Sequence, residues 1–94
     1  MKLVGREILS DYSMRHVEVR GQVQAWVADV LAATWNRPQD IKARYASASF
    51  LSDKRVVFNI KGNKYRLLVK VSYKSQIVFI MNIGTHEEYT KWSL

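Results

Sequence analysis

Two N-terminal helices packed on an antiparallel sheet of three to four strands, closed by a short C-terminal helix, is the α+β architecture this 94-residue sequence predicts. Three observations carry it. An apolar stripe at helical spacing runs through residues 23–34, the hydrophobic period changes to two from Arg55 onward, and Gly62-Asn63 marks a hairpin inside the alternating region.

Met1 to Val4 is a short apolar piece that reads as an edge strand running directly into a helix over Arg6 to Arg15, with Ile8, Leu9 and Tyr12 on one side. The next helix is better marked. Val23, Trp26, Val27, Val30, Leu31 and Thr34 follow i, i+3, i+4, i+7, i+8 and i+11, one continuous stripe read as core. Pro38 stops anything helical from running through Asn36 and Arg37, yet suits the first position of a short new helix carrying Ile41 and Tyr45. Ala46 to Ser52 is small and polar apart from Phe50 and Leu51, and reads as a connection.

Arg55 to Lys61 is rich in β-branched and aromatic residues and forms the first long strand. Gly62 and Asn63 supply the two positive-φ positions of a tight hairpin. Tyr65, Leu67, Val69, Val71 and Tyr73 then alternate with Arg66, Leu68, Lys70, Ser72 and Lys74, giving one apolar face and one mixed with cations. A turn at Lys74-Ser75 leads into Ile77 to Ile83, whose lack of clean alternation is expected of a central strand covered on both sides. Thr85 caps a last helix from His86 to Trp92, with Glu88 placed to complete a capping box.

Composition narrows the function classes. The length suits a single domain over residues 1–94, and no repeat, low-complexity tract or Gly/Ser linker divides it. Cysteine is absent, which removes disulfides, thiolate catalysis and Cys-type zinc sites. His16 and His86 are the only imidazoles, and neither stands in a pattern of metal-ligand spacing, so neither a metal nor a cofactor is expected. The apolar stretches are interrupted too soon to span a bilayer and no signal peptide opens the chain; a cytoplasmic setting without membrane association is expected.

Fifteen Lys+Arg against eight Asp+Glu give a net charge of +7. Between Arg37 and Lys74 lie ten basic and two acidic residues, a net of +8, and the rest of the chain sums to −1. Charge carried by one segment can form a single electropositive face for a polyanion, the alternative being a solvated surface.

Strand parity puts Arg66 and Lys70 on one face, roughly 13–14 Å apart, a spacing that suits successive phosphates. Arg55 and Asn59 widen that face if they share it. Tyr65, Tyr73 and Phe79 interleave with the cations, a composition suited to stacked bases and held phosphates, although parity sends Tyr65 and Tyr73 to the apolar side. His86 follows the last long strand, and Tyr89, three residues on, shares its helix side. Imidazole can take or give a proton, a phenol can donate, and cations stabilise charge at phosphorus. A base, an acid and cations are what 2′-hydroxyl attack on the adjacent phosphate needs, and that chemistry selects RNA. The plainer reading of His86 is a hydrogen-bonding residue at a helix start.

The runs Ser47-Ala-Ser-Phe-Leu51, Arg55-Val-Val-Phe-Asn-Ile-Lys-Gly-Asn-Lys-Tyr-Arg-Leu67 and Gly84-Thr-His-Glu-Glu-Tyr89, with Trp35 and Pro38-Gln-Asp-Ile-Lys42, resemble the HigB branch of the RelE-like toxins. The resemblance covers nearly the whole chain and is dense from Trp35 to Trp92. It implies a RelE-like fold and the toxin of a bacterial toxin-antitoxin pair, an endoribonuclease (mRNA interferase) that cleaves mRNA on the translating ribosome. A cognate HigA-like antitoxin of helix-turn-helix type is implied as its partner.

Matching positions carried over from the family are Asn59, Asn63, Arg66, His86 and Tyr89. Combined with the charge pattern, they give Arg66, His86 and Tyr89 as catalytic residues, and Lys54, Arg55, Asn59, Lys61, Asn63, Lys64 and Lys70 as RNA-binding ones. Met81 departs from the family, which commonly carries Arg in the last strand, and attenuated cleavage is the expected result. Two other readings compete: a non-catalytic basic module that binds RNA or the ribosome, and the gyrase-poisoning branch of the same fold.

Overall fold

The alternating runs after Arg55 form the sheet their pattern demands, with the helices on one side of it. In the computed structural model, which describes all 94 residues, the order is β1 (Lys2–Val4), α1 (Arg6–Arg15), a 3-10 turn (Val17–Val19), α2 (Arg20–Ala32), α3 (Pro38–Arg44), β2 (Ser49–Phe50), β3 (Arg55–Ile60), β4 (Tyr65–Ser72), β5 (Ile77–Thr85) and α4 (His86–Tyr89). The strands lie in the order β1-β5-β4-β3-β2. This is the α+β class expected, with five strands in place of three to four.

β2 to β5 pair antiparallel, whereas β1 runs parallel to β5, so the sheet is mixed. The long excursion from β1 through the helices and the other strands supplies the crossover that a parallel pair needs. Gly5, at φ 93°, turns β1 directly into α1, and a Cβ there would lie 3.1 Å from the Ile80 carbonyl.

Parity sets the two sheet faces. Val56, Phe58 and Ile60 of β3 and Leu67, Val69 and Val71 of β4 turn toward the helices and are buried. Phe58 is the centre of an aromatic group, edge-on to Trp26 at 5.3 Å and to Tyr45 at 5.2 Å and stacked with Trp35 at 6.2 Å.

Several local expectations are corrected. The positive-φ residues of the β3–β4 loop are Lys61 and Gly62, one position earlier than read, because Ile60 pairs with Tyr65 and Asn63 falls on the return side. The supposed connection after Ala46 contains β2, which finds ladder partners in Val56 and Val57. α2 ends at Ala32, so Thr34 lies outside it, and of its stripe only Val23, Trp26 and Val30 are fully buried; Leu31 is exposed. α4 ends at Tyr89 rather than Trp92.

β5 is not covered on both sides. Val69 faces Ile80 and Leu68 faces Asn82, which leaves Met81 as the extra residue of a β-bulge. Val78, Ile80 and Ile83 all reach the core because the bulge shifts parity by one, and the alternation is interrupted for that reason. Phe79 and Met81 remain exposed on the face away from the helices.

Candidate active site

The end of β5 delivers α4 to the rim of the sheet, and four contacts hold it there. Thr85 Oγ1 accepts from the Glu88 backbone N–H at 3.1 Å, and Glu88 Oε1 accepts from the Thr85 N–H at 2.7 Å, a complete capping box. Tyr12 of α1 donates its hydroxyl to the same Glu88 oxygen at 3.2 Å. The His86 N–H donates to the Lys64 carbonyl at 2.9 Å and so ties α4 to the β3–β4 hairpin.

These hydrogen bonds leave their mark on the acidity of both partners. The Thr85 N–H, then the Tyr12 and Thr85 hydroxyls, hold the Glu88 carboxyl below the usual carboxylate range against the opposing effect of burial. Burial, followed by the Glu88 charge and hydrogen bond, pushes the Tyr12 phenol far above its ordinary value, so Tyr12 stays a donor.

Arg66, His86 and Tyr89 come together on this rim. Arg66 Nη2 lies 3.0 Å from His86 Nδ1, and the guanidinium sits 5.6 Å from the centre of the Tyr89 ring. Arg66 Nη1 donates to the Asn63 carbonyl at 2.9 Å. Since a guanidinium can only donate, Nδ1 of His86 is the acceptor, which assigns the imidazole proton to Nε2.

The remaining candidates separate into groups. Asn59 pairs in register with Arg66, and Arg55 with Lys70, so all four side chains share the face away from the helices. Asn59 Nδ2 donates to the Ser47 carbonyl, and Arg55 donates to the Ser52 carbonyl and hydroxyl and to the Leu94 carbonyl. The Lys70 side chain is exposed and is not held by any hydrogen bond within the chain. Lys54, Asn63 and Lys64 stand exposed in the flanking turns.

Lys61 is carried elsewhere. Its Nζ donates to the Glu18 carbonyl at 3.1 Å, on the helical layer, because the chain reverses at that residue. The basic segment as a whole is likewise divided. Arg44 pairs with Asp29 at 2.6 Å and Lys42 donates to the Ala48 carbonyl, both away from the Arg66 rim.

The sheet face away from the helices is partly covered. A Cβ on Gly84 would lie 2.9 Å from Trp92 Cζ2, and Leu94 reaches Arg55, so the segment after α4 crosses the row formed by Val57 and Leu68. Those two residues are buried yet stand apart from the main core. The crossing divides the Arg66–His86–Tyr89 group from Lys70. Met81 borders this face with 44% of its surface exposed.

Tyr12, Gly84 and Trp92 were not singled out for the site from the sequence. Tyr12 carries the helical spacing of an ordinary core residue, and its partner Glu88 lies 76 positions away. The Thr85–Glu88 spacing was the one local signal of how α4 is held. No group of three or more His, Cys, Asp or Glu is arranged to hold a metal ion, and no helix is long and apolar enough to cross a membrane.

The chain is 28% identical over 91 residues to the mRNA interferase toxin HigB of Escherichia coli strain K12, covering 95% of this chain and 88% of that protein. The mRNA interferases HigB of Escherichia coli O157:H7 and Shigella flexneri match to the same extent. The profile of HigB_toxin, the RelE-like toxic component of a toxin-antitoxin system, matches residues 19–92. A match over that much of the chain, on a sheet-and-helix fold ending in the capped α4, makes this protein a member of the HigB toxin family.

Proposed function

We propose that this chain is an mRNA interferase, a metal-independent endoribonuclease that cleaves mRNA on the translating ribosome. It acts as a single cytoplasmic domain of residues 1–94, without a cofactor, and is silenced by a HigA-like helix-turn-helix antitoxin. The observation that carries this reading is the contact of Arg66 with both His86 and Tyr89 at one rim of the sheet.

Arg66 holds His86 Nδ1 until a phosphate arrives. A phosphate oxygen, being charged, is the stronger acceptor for the guanidinium fork. Arg66 then turns to the phosphate and leaves the Nδ1 lone pair free. His86 takes the proton of the 2′-hydroxyl as the 2′ oxygen bonds to phosphorus. The bond from phosphorus to the 5′ oxygen breaks, the Tyr89 hydroxyl supplies the proton to that leaving oxygen, and a 2′,3′-cyclic phosphate and a 5′-hydroxyl result. Arg66 stabilises the negative charge that gathers at phosphorus between these events. Arg55, Asn59 and Lys70 along the sheet and Lys54, Asn63 and Lys64 in the turns hold the strand and the ribosome, with Lys61 turned away to the helical layer.

A second reading has its own support. Met81 puts a thioether on the outer sheet face, in a strand where the family commonly carries a cation, so a weakly cleaving or purely RNA-binding version of the same fold is the alternative. Inducible expression with 5′-end mapping of cellular transcripts separates the two. Codon-phased cuts that disappear in His86→Ala are expected. Growth arrest without such cuts would overturn the nuclease reading in favour of the binding module. Met81→Arg at matched expression is expected to raise cleavage, by up to about 10²–10³-fold if a full charge-stabilising contact is restored; equal, vigorous cutting by both versions would refute attenuation.

A further inference from the structure

α1 and α2 satisfy the sheet with only part of their apolar surface. Leu9 and Tyr12 of α1 and Val23, Trp26 and Val30 of α2 enter the core. On the outer side the two helices leave a groove of about 800 Å³. Its lining runs from Arg6 to Val17 on one wall and from Arg20 to Leu31 on the other, eleven residue steps along each. At the rise of a helix that is roughly 16 Å, or about three turns.

The groove is apolar where it is most exposed. Met14 and Val17, 79% and 72% exposed, are the barest large apolar side chains of the molecule, and Leu31 on the facing wall is 46% exposed. Large apolar side chains left bare along one groove are unusual on a surface that faces only water.

Charge identifies the occupant. Arg6 and Arg20 are the only charged residues of the lining. Arg6 opens α1 and Arg20 follows its end, so a guanidinium stands near each end of the groove. A complementary partner is an amphipathic helix of about three turns with an apolar stripe and acidic residues toward both ends.

We propose that this groove receives such a helix from the antitoxin, on the layer opposite the Arg66–His86–Tyr89 rim. The inference rests on the toxin-antitoxin reading and adds the surface on which the partner is held. It also differs from the simplest electrostatic expectation, an acidic segment laid along the basic stretch of residues 37–74.

Calorimetric titration with the protein encoded by the neighbouring reading frame tests it, using full-length chains. Met14→Glu and Leu31→Glu, both at exposed positions, are expected to weaken the complex about 100-fold or more while mRNA cleavage and thermal midpoint stay as in the parent. The double variant Arg6→Glu/Arg20→Glu should lose about tenfold or more, and an acid-to-lysine exchange in the partner helix should restore it. Lys70→Glu should bind the partner normally and lose affinity for RNA. Groove variants that bind normally while Lys70→Glu breaks the complex would overturn the proposal and move the partner to the sheet face. A parent chain that sediments as a dimer, made monomeric by Met14→Glu, would overturn it in favour of a second copy. If the parent itself forms no complex, the toxin-antitoxin reading fails for this pair, an outcome told apart by every variant behaving alike.

Discussion

At the scale of single residues, the contact between Arg66 and His86 decides what the site can do. Arg66 occupies Nδ1, so the imidazole is oriented before any substrate enters and presents Nε2–H outward. His86→Ala is expected to lower single-turnover RNA cleavage by about 10²–10⁴-fold with nearly unchanged RNA affinity. A parallel loss of affinity would reduce His86 to a structural cap. Arg66→Lys keeps a charge but removes the fork, and a fall in cleavage of about 10²–10³-fold is expected, since a point charge cannot span two phosphoryl oxygens. Unchanged rates would show that charge alone suffices. The placement of both residues was legible in the sequence, that of Arg66 on the outer sheet face from strand parity and that of His86 at the rim from its position after the last strand. Lys61 was not legible in the same way, because a positive-φ backbone sends its side chain to the other layer, and no periodicity reports that reversal.

At the scale of elements, α4 is too short to sustain itself and depends on its cap. Thr85→Ala is expected to cost about 0.5–2 kcal/mol of stability, read from the urea midpoint at constant m-value. Glu88 makes this element sensitive to acid. Its folded acidity is shifted below that of the unfolded chain, so its contribution is present above the unfolded carboxylate value and is lost as pH falls through the folded one. An NMR titration of the Thr85 amide should therefore show a transition at acidic pH that is absent in Glu88→Gln. The same transition in both proteins would exclude Glu88 as its origin. The capping box was legible because its spacing is local. Tyr12 as the third support was not, because a buried tyrosine at helical spacing looks the same whether or not its hydroxyl finds a carboxylate.

At the scale of the whole molecule, the charge that reads as one block in the sequence is shared among several surfaces. Segmental charge told of a basic protein but not of where the fold would send each side chain. RNA binding should weaken with salt, and Lys70→Ala should reduce the slope of log K against log salt by up to about 1. Lys61→Ala should change that slope much less, since Lys61 is held against the Glu18 carbonyl. Equal effects of the two substitutions would indicate that the strand wraps around the sheet edge. The fold class was legible because helix and strand periods are distinct. The fifth strand was not, since β2 has only two residues and depends on β3 for its existence.

The bulge in β5 bears on how the strand tolerates changes of length. A strand is read two residues at a time, and removing one ordinarily turns every later side chain to the wrong face. Position 81 is the exception. Removing it joins Ile80 to Asn82 and leaves a regular ladder in which Ile83 still faces the core and Gly84 still lies under Trp92. Met81 can thus be gained or lost as a single codon without disturbing α4, whereas loss of Phe79 would rotate the register ahead of it. Correspondence with relatives across this strand is therefore a matter of spatial pairing, and a cation aligned with position 81 by sequence need not project from the same rung.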